Sequence, residues 1–354
     1  MSRFLSARFA ALQAYTPGEQ PQDMAYTKLN TNESPYPPSP GVFAALSSSE
    51  IARLQLYPDP EGKRLRAKLA ARYGVSPQNV LLANGSDEIL NFAFMAFCDS
   101  ATPVIFPDIS YGFYPVYARL YGLSYKTAPL KEDFTIDPKH YGGNDATVVL
   151  ANPNAPTGIA LSLEQIEAIL KANPDHIVLV DEAYVDFGAQ SALPLLGRYD
   201  NLLIAQTFSK SRSLAGARLG FALASEDVIA DLDTIRYSTN PYNLNRLTLL
   251  AGEAAVEDAA YYEANAQTII QTRAYTAAAL RELGFALTNS KANFLFASHP
   301  ALPGGALYRR LKELGVLVRH FGNPRIQNYV RITVGTQGQM DTLLACVRRI
   351  LTEQ

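Results

Sequence analysis

Three side chains near the middle of the chain have the types and the neighbours to act on one small molecule. Lys210 ends the run Asn201-Leu202-Leu203-Ile204-Ala205-Gln206-Thr207-Phe208-Ser209-Lys210. An apolar run bounded by small polar residues reads as a buried strand. A lysine at the mouth of such a strand is partly desolvated, which favours its neutral, nucleophilic form. Asp181 closes an earlier apolar run, Ile177-Val178-Leu179-Val180. Arg218 stands between Ala217 and Leu219, a guanidinium in apolar company that calls for an anion such as phosphate. An amine, a carboxylate and a guanidinium, each at the end of a core element, are the fixed groups that pyridoxal phosphate needs. The amine bonds its aldehyde, the carboxylate partners its ring nitrogen and the guanidinium holds its phosphate.

Other segments could join them, each with a plainer alternative. Ala83-Asn84-Gly85-Ser86-Asp87-Glu88 follows a strand and opens a helix. Its free N–H groups form either an anion site or an ordinary helix start capped by Ser86 or Asp87. Asn152-Pro153-Asn154-Ala155-Pro156-Thr157-Gly158 is a rigid loop after a strand, whose X-Pro bonds are open to either isomer. It is either a ligand wall or a plain turn into a helix capped by Ser162. Asp181 can serve a site or cap the next helix, and Tyr184 follows it closely enough to reach the same ligand. Arg331 interrupts Tyr329–Val334 and faces either water or a cleft, where it would clamp a substrate anion. Arg319, ending Val316–Arg319, is a second candidate for that clamp.

The elements that must position these groups alternate. Apolar runs at Val80–Leu82, Thr102–Phe106, Ala146–Leu150, Ile177–Val180, Leu202–Ala205 and Arg218–Ala222 read as strands. Helical stretches at Gly41–Leu54, Glu61–Tyr73, Asp87–Phe97, Tyr111–Leu120 and Ser162–Lys171, and one after Ser225, lie around and between them. This rhythm predicts an α/β fold with a mostly parallel sheet covered on both faces. After Asn245 a long Ala-rich helical segment runs to about Leu283. Strand-like Asn293–Ala297, Val316–Arg319 and Tyr329–Val334 follow, with helices near Gly305–Leu314 and Gln339–Leu351. That order suggests a smaller α+β domain. The expected division is an arm and extended segment at 1–32, a large domain at 33–245 and a small domain at 246–354.

Bulk composition narrows the function. The chain has 354 residues, 48% of them apolar, which fits two domains or one large domain with an appendage. Lys plus Arg number 31 against 33 acids, a net charge of −2, so no field draws nucleic acid or an anionic membrane. No apolar stretch reaches a bilayer span. The two cysteines, Cys98 and Cys346, sit in apolar helical context and read as buried thiols, in keeping with a cytoplasmic protein. Phe4, Leu5, Phe9 and Leu12 share one helical face, an apolar arm suited to packing on a second subunit. There is no G-x-G-x-x-G, Walker loop, His-Glu-x-x-His or paired CxxC, and none of the four histidines has ligand spacing. Zinc and histidine-based hydrolysis are disfavoured.

Taken together, in this order, the segments resemble the fold-type I pyridoxal-phosphate enzymes, the aspartate aminotransferase superfamily. Within it they are most similar to the histidinol-phosphate aminotransferase family. The likeness includes Lys28-Leu29-Asn30-Thr31-Asn32-Glu33-Ser34-Pro35-Tyr36, Tyr57-Pro58-Asp59-Pro60, Asn84-Gly85-Ser86-Asp87-Glu88 and Val180-Asp181-Glu182-Ala183-Tyr184. It continues through Thr207-Phe208-Ser209-Lys210, Leu214-Ala215-Gly216, Gly315-Val316-Leu317-Val318-Arg319 and Arg331-Ile332-Thr333-Val334-Gly335-Thr336. It implies a large domain with a seven-stranded type of sheet and a smaller α+β C-terminal domain.

By the same resemblance Lys210 is the Schiff-base lysine and Asp181 the ring-nitrogen partner. Asn152 and Tyr184 hydrogen-bond the cofactor's O3′, and Tyr111 stacks on its ring. Ser209, Arg218 and the N–H groups of Ser86 and Asp87 hold the phosphate. Tyr57 reaches the phosphate of the neighbouring subunit, which implies a homodimer. Tyr15, Asn32, Arg319 and Arg331 face the substrate. The family usually has Asn where Ala155 and Ser34 stand here. The implied reaction takes histidinol phosphate and 2-oxoglutarate to imidazole-acetol phosphate and glutamate, in histidine biosynthesis. The rival chemistries are an aromatic amino acid aminotransferase and a threonine-phosphate decarboxylase. A non-catalytic cofactor-binding regulator is more remote, because Lys210, Asp181 and Arg218 are all present and no added DNA-binding module is.

Overall fold

The computed structural model describes residues 4–9, 12 and 15–353. After a first two-residue strand, β1 (Thr27–Lys28), the chain builds its main sheet. The strands are β2 (Val80–Ala83), β3 (Val104–Pro107), β4 (Tyr125–Ala128), β5 (Thr147–Ala151), β6 (Val178–Asp181), β7 (Leu202–Thr207) and β8 (Gly220–Leu223). Their spatial order is β2-β8-β7-β6-β5-β3-β4. Strands β4, β3, β5, β6 and β7 pair in parallel, and β8 runs antiparallel between β7 and β2. Six of the seven were read as strands from their apolar runs. Strand β4 escaped because Tyr125, Lys126 and Thr127 on this edge strand are exposed and carry no apolar run.

Alternation along each strand decides which helix covers which face. Val148, Leu150, Val178, Val180, Leu202 and Ile204 point to one side. They meet Leu65 and Leu69 of α3 (Lys63–Tyr73) and Ile166 and Ile169 of α6 (Leu163–Lys171). Val149, Leu179, Leu203 and Ala222 point to the other. They meet Ile89 and Phe92 of α4 (Ser86–Phe97), Tyr114 and Tyr117 of α5 (Tyr114–Tyr121), and Ile229 of α7 (Glu226–Thr239). Helix α6 starts where Ser162 and Gln165 form a reciprocal capping box. The helix expected over Gly41–Leu54 is two short ones, α1 (Pro40–Ala45) and α2 (Ser48–Ile51). They part at Leu46-Ser47, where a run of serines competes with the helix for its own backbone.

The Ala-rich segment after Asn245 forms α8 (Arg246–Glu257) and α9 (Ala259–Glu282). Leu249, Ala251 and Ala255 of α8, and Tyr262 at the start of α9, bury in the large core. Farther along α9, Ala277 and Leu280 join a separate core. That second core lies on an antiparallel sheet ordered β12-β13-β10-β9. Its strands are β9 (Ala286–Leu287), β10 (Phe294–Ser298), β12 (Arg319–His320) and β13 (Tyr329–Thr333). Helices α10 (Gly304–Glu313) and α11 (Gln337–Thr352) pack there, and β11 (Val316–Leu317) pairs with β1. The expected strand Val316–Arg319 is therefore shared between two sheets. Helix α8 thus sits on the large core, while α9 passes from that core to the second one. In the N-terminal arm, Ala7–Phe9 form a single 3-10 turn. Phe4 and Leu5 of the expected apolar face are exposed and Phe9 and Leu12 half-buried, and residues 10, 11, 13 and 14 lie outside the described ones.

Tight packing fixes the edge of the sheet that matters. Gly220 lies so close to the start of α4 that a Cβ there would sit 2.5 Å from the Gly85 carbonyl carbon and 2.6 Å from the Ser86 nitrogen. We predict that Gly220→Ala lowers stability by about 1–3 kcal/mol, as overpacking does. Urea denaturation measures it, and an unchanged midpoint would show that the helix start gives way freely.

Candidate active site

The parallel strands end on one edge of the main sheet, where open α/β folds place ligands. Strand β2 delivers Gly85 and α4 there, β5 delivers Asn152, β6 delivers Asp181, and β7 delivers Ser209 and Lys210. Strand β8 runs the other way, so its beginning, just after Arg218, reaches the same edge. The result is a cleft of about 570 Å³, partly open to solvent. Ser86, Asp87, Tyr111, Asp181, Tyr184, Ser209, Lys210 and Arg218 line it, together with Thr207 and Ala155. An adjoining cleft of about 870 Å³ shares Tyr111, Tyr184 and Lys210 and adds Tyr15, Asn32, Arg319 and Arg331.

Lys210 Nζ lies 3.5 Å from the Thr31 carbonyl oxygen and 5.7 Å from the centre of the Tyr184 ring. The Tyr184 hydroxyl accepts from Asn32 Nδ2 at 2.9 Å, and its ring meets Phe294 edge-on at 5.1 Å. Tyr184 therefore joins the large domain to the small one beside the lysine. Asn32 adopts a left-handed backbone, φ 55°, which Asn tolerates better than most residues. Thr333 and Asn293 fasten it by hydrogen bonds on the small-domain side.

Asp181 is only 5% exposed. Its carboxylate accepts from Tyr114 Oη at 3.1 Å and from the Ala183 N–H at 3.2 Å. Burial pushes its pKa up to about 6 from the usual 3.8, against the lowering effect of those two donors and of Lys210. Glu182 beside it is pushed up to about 7, again chiefly by burial. Its carboxylate faces away from the edge, to Ser191 Oγ, the Ala192 N–H and Gln206 Nε2.

Arg218 sits in the left-handed region at φ 53°, costly for a residue with a Cβ. That backbone turns its guanidinium over the start of α4. It lies 3.3 Å from Asp87 Oδ2 and 3.4 Å from Ser209 Oγ. Gly85, at φ 81°, adopts a backbone conformation that residues with a Cβ rarely take, and the missing Cβ leaves room for the Arg218 guanidinium, whose Nη2 lies 2.6 Å from where it would stand. Among the described residues no side chain caps α4. Asp87 Oδ1 instead accepts from the Tyr111 hydroxyl at 2.9 Å. This turn is thus an uncapped helix start under an arginine, an arrangement with the free N–H groups and positive charge that suit an anion.

Asn152 is fully buried behind Ala151, and its Oδ1 accepts from the Leu161 N–H at 2.8 Å. Its Nδ2 has no partner among the described residues. The bonds before Pro153 and Pro156 are both cis. In the adjoining cleft Arg331 Nη2 donates to the Asn30 carbonyl at 3.0 Å, while its buried Nε is unpaired among the described residues. Its guanidinium lies between Phe294 and Phe321, and burial lowers its pKa. Arg319 donates to the Thr16 and Pro17 carbonyls at 3.4 Å. Tyr57 reaches neither cleft. It is 77% exposed and stacks on Tyr242 at 4.4 Å.

These features fit pyridoxal phosphate at each of its polar positions. An uncapped helix start with Arg218 and Ser209 suits the phosphate. A buried anion suits a protonated ring nitrogen, and the spare Asn152 donor suits the phenolic oxygen. Comparison with known proteins agrees. The profile of the family "Aminotransferase class I and II" matches residues 25–347. The chain belongs to that family. A histidinol-phosphate aminotransferase from Marinomonas sp. is 50% identical over 353 residues, covering 99% of this chain and all of the relative. One from Brachyspira hyodysenteriae is 48% identical, with 99% of both chains covered. The chain thus falls among the histidinol-phosphate aminotransferases, as a transaminase. The crystal structure of histidinol-phosphate aminotransferase from Sinorhizobium meliloti, in complex with pyridoxal-5'-phosphate, superposes with a TM-score of 0.83 at 26% identity over 91% of each chain. A Thermus thermophilus aspartate aminotransferase mutant shares the fold, with a TM-score of 0.83 at 20% identity over 99% of this chain and all of that one.

Sequence reasoning missed Tyr114, Thr207 and the Thr31 carbonyl. None of the three left a signal of its own, since Tyr114, which opens α5, looks in sequence like any other core aromatic. The buried acid also has a stability consequence. A carboxyl whose folded pKa lies above its unfolded value favours folding fully below pH 3.8, and that contribution is lost as pH rises through about 6. In the cofactor-free protein, Asp181→Asn should therefore add about 1–3 kcal/mol of stability at pH 8 and almost none near pH 4. Urea melts at the two pH values check this, and an equal effect at both would refute it.

Proposed function

We propose that the chain moves an amino group between glutamate and imidazole-acetol phosphate, forming histidinol phosphate and 2-oxoglutarate or the reverse. Pyridoxal 5'-phosphate would be held in the cleft beside Lys210. The observation that carries this reading is one amine, one buried carboxylate and one arginine over a helix start in a single cleft. That cleft opens onto a second one with two arginines. Full-length identity to histidinol-phosphate aminotransferases supports the choice of substrate.

When bound, the cofactor supplies a ring that absorbs the electron pair left as a proton departs from the amino-bearing carbon. Ser86 and Asp87 N–H groups, Ser209 and Arg218 would hold its phosphate, and Tyr111 would lie on its ring. Asn152 Nδ2 and the Tyr184 hydroxyl would donate to O3′, and Asp181 would keep the ring nitrogen protonated. Lys210 would hold the aldehyde carbon, and its amine, when free, would serve as the base and then the acid that moves the proton at the amino-bearing carbon. Arg331 and Arg319 serve in turn the donor's carboxylate and the acceptor's phosphate, since both anions accept paired N–H bonds. Tyr15 and Asn32 close the same pocket.

The enzyme works as a homodimer in this proposal. Tyr57 points away from its own clefts, beside exposed Leu54 and Leu56, and would complete the phosphate site of a second copy. Its compartment would be the cytoplasm, where the free thiols of Cys98 and Cys346 stay reduced.

Two measurements test this. The loaded protein should exchange amino groups between glutamate and imidazole-acetol phosphate without releasing CO₂, and Lys210→Ala should lose at least about a thousandfold of that turnover. Transfer to aromatic keto acids alone, or CO₂ release, would replace the assignment. Mixing Lys210→Ala with Tyr57→Ala subunits should regain activity that neither has, because each hybrid dimer holds one intact site. No regain would place Tyr57 outside the site.

A further inference from the structure

Among the described residues Asp181 has two hydrogen-bond donors, and one is a side chain that lines neither cleft. Tyr114 is fully buried in α5 and lines neither cleft. Its hydroxyl lies 3.1 Å from Asp181 Oδ2, while the Ala183 N–H takes Oδ1. Neighbours hold the ring on several sides. Tyr111 meets it edge-on at 5.6 Å, and Phe106 lies 5.7 Å away. From this geometry we infer that Tyr114 is a positioning residue for amino-group transfer, its O–H holding the Asp181 carboxylate in place and in its charged form for the cofactor's ring nitrogen. The inference rests on the reading of Asp181 as partner of the ring nitrogen.

The physical case is a competition for one proton. Between a carboxylate and a pyridine nitrogen the proton sits on nitrogen only while the carboxylate is the weaker base. Burial and the nearby Asp87 both make Asp181 a stronger base, and Lys210 opposes them. Two hydrogen bonds to the anion oppose them as well. Tyr114 can always supply one, because burial and the neighbouring Asp181 push its own ionisation far out of range. A hydrogen bond to a charged group is worth enough to alter an equilibrium roughly 10- to 100-fold. Removing it moves the proton toward Asp181 and weakens the electron sink.

The test is Tyr114→Phe in the full-length protein loaded with ¹⁵N-labelled pyridoxal phosphate. The ring-nitrogen NMR shift should move toward that of neutral pyridine across pH 6–8. The single-turnover rate with glutamate should fall about 10- to 100-fold with little change in KM. A wild-type shift at every pH would overturn the inference. Asp181→Asn is the companion. If it too leaves the shift unchanged, the role given to Asp181 fails. If it moves the shift while Tyr114→Phe does not, only the role of Tyr114 fails. Should Tyr114→Phe not fold, 3-fluorotyrosine at position 114, a stronger donor, should lower the ¹³C-monitored titration midpoint of Asp181 in the cofactor-free chain. An unmoved midpoint would count against the inference.

Discussion

A negative charge kept away from water at the end of β6 is the constraint around which the site is arranged. Asp181 is too buried to be solvated and, among the described residues, has no cationic partner in direct contact. Its isolation costs stability unless a positive group from outside arrives opposite it. Much of the surrounding structure follows from keeping that acid at the sheet edge. Strand β6 is apolar on both faces, so the acid can only end it. Tyr114 and the Ala183 N–H satisfy part of its hydrogen-bonding capacity and leave the rest facing the cleft.

The anion end of the cleft obeys a complementary logic. An arginine, a serine and an uncapped helix are brought together by β8, the one strand that runs against its neighbours. Its reversed direction places Arg218 on the edge where the other strands finish. Close approach follows, which is why Gly220 cannot carry a Cβ there, while Gly85 is held to glycine by its positive φ. Between the two ends stands Lys210, beside a tyrosine that bridges the domains through Asn32 and Phe294. A shift of the small domain would therefore be felt at Tyr184 and at Arg331 together, and in the proposed function it would couple substrate grip to the environment of the lysine.

The alternating apolar runs made most of the sheet legible, because strands buried on both faces have to be apolar throughout. Strand β4 was not legible, since an exposed edge strand needs no such run. The domain division was harder to read. Helices α8 and α9 share one Ala-rich composition, yet α8 packs on the large core and most of α9 on the small one. Composition records that a helix is buried but not against what. In the site, Lys210, Asp181 and Arg218 were visible from their apolar settings. Tyr114 was not, because a buried tyrosine beside a buried acid looks in sequence like any other core aromatic.

By itself the sequence determined the residue types that can grip a phosphorylated pyridine ring and the order in which strands present them. Local patterning suffices for this, since burial and hydrogen bonding constrain each segment separately. Tertiary structure alone decided which of those groups share a cleft, and that Asn152 keeps a spare donor. It also decided that Arg331 faces the ligand space rather than water and that Tyr57 faces away from it. Those outcomes depend on strand order, strand direction and the packing of one domain on another, which are relations between distant segments that no single segment encodes.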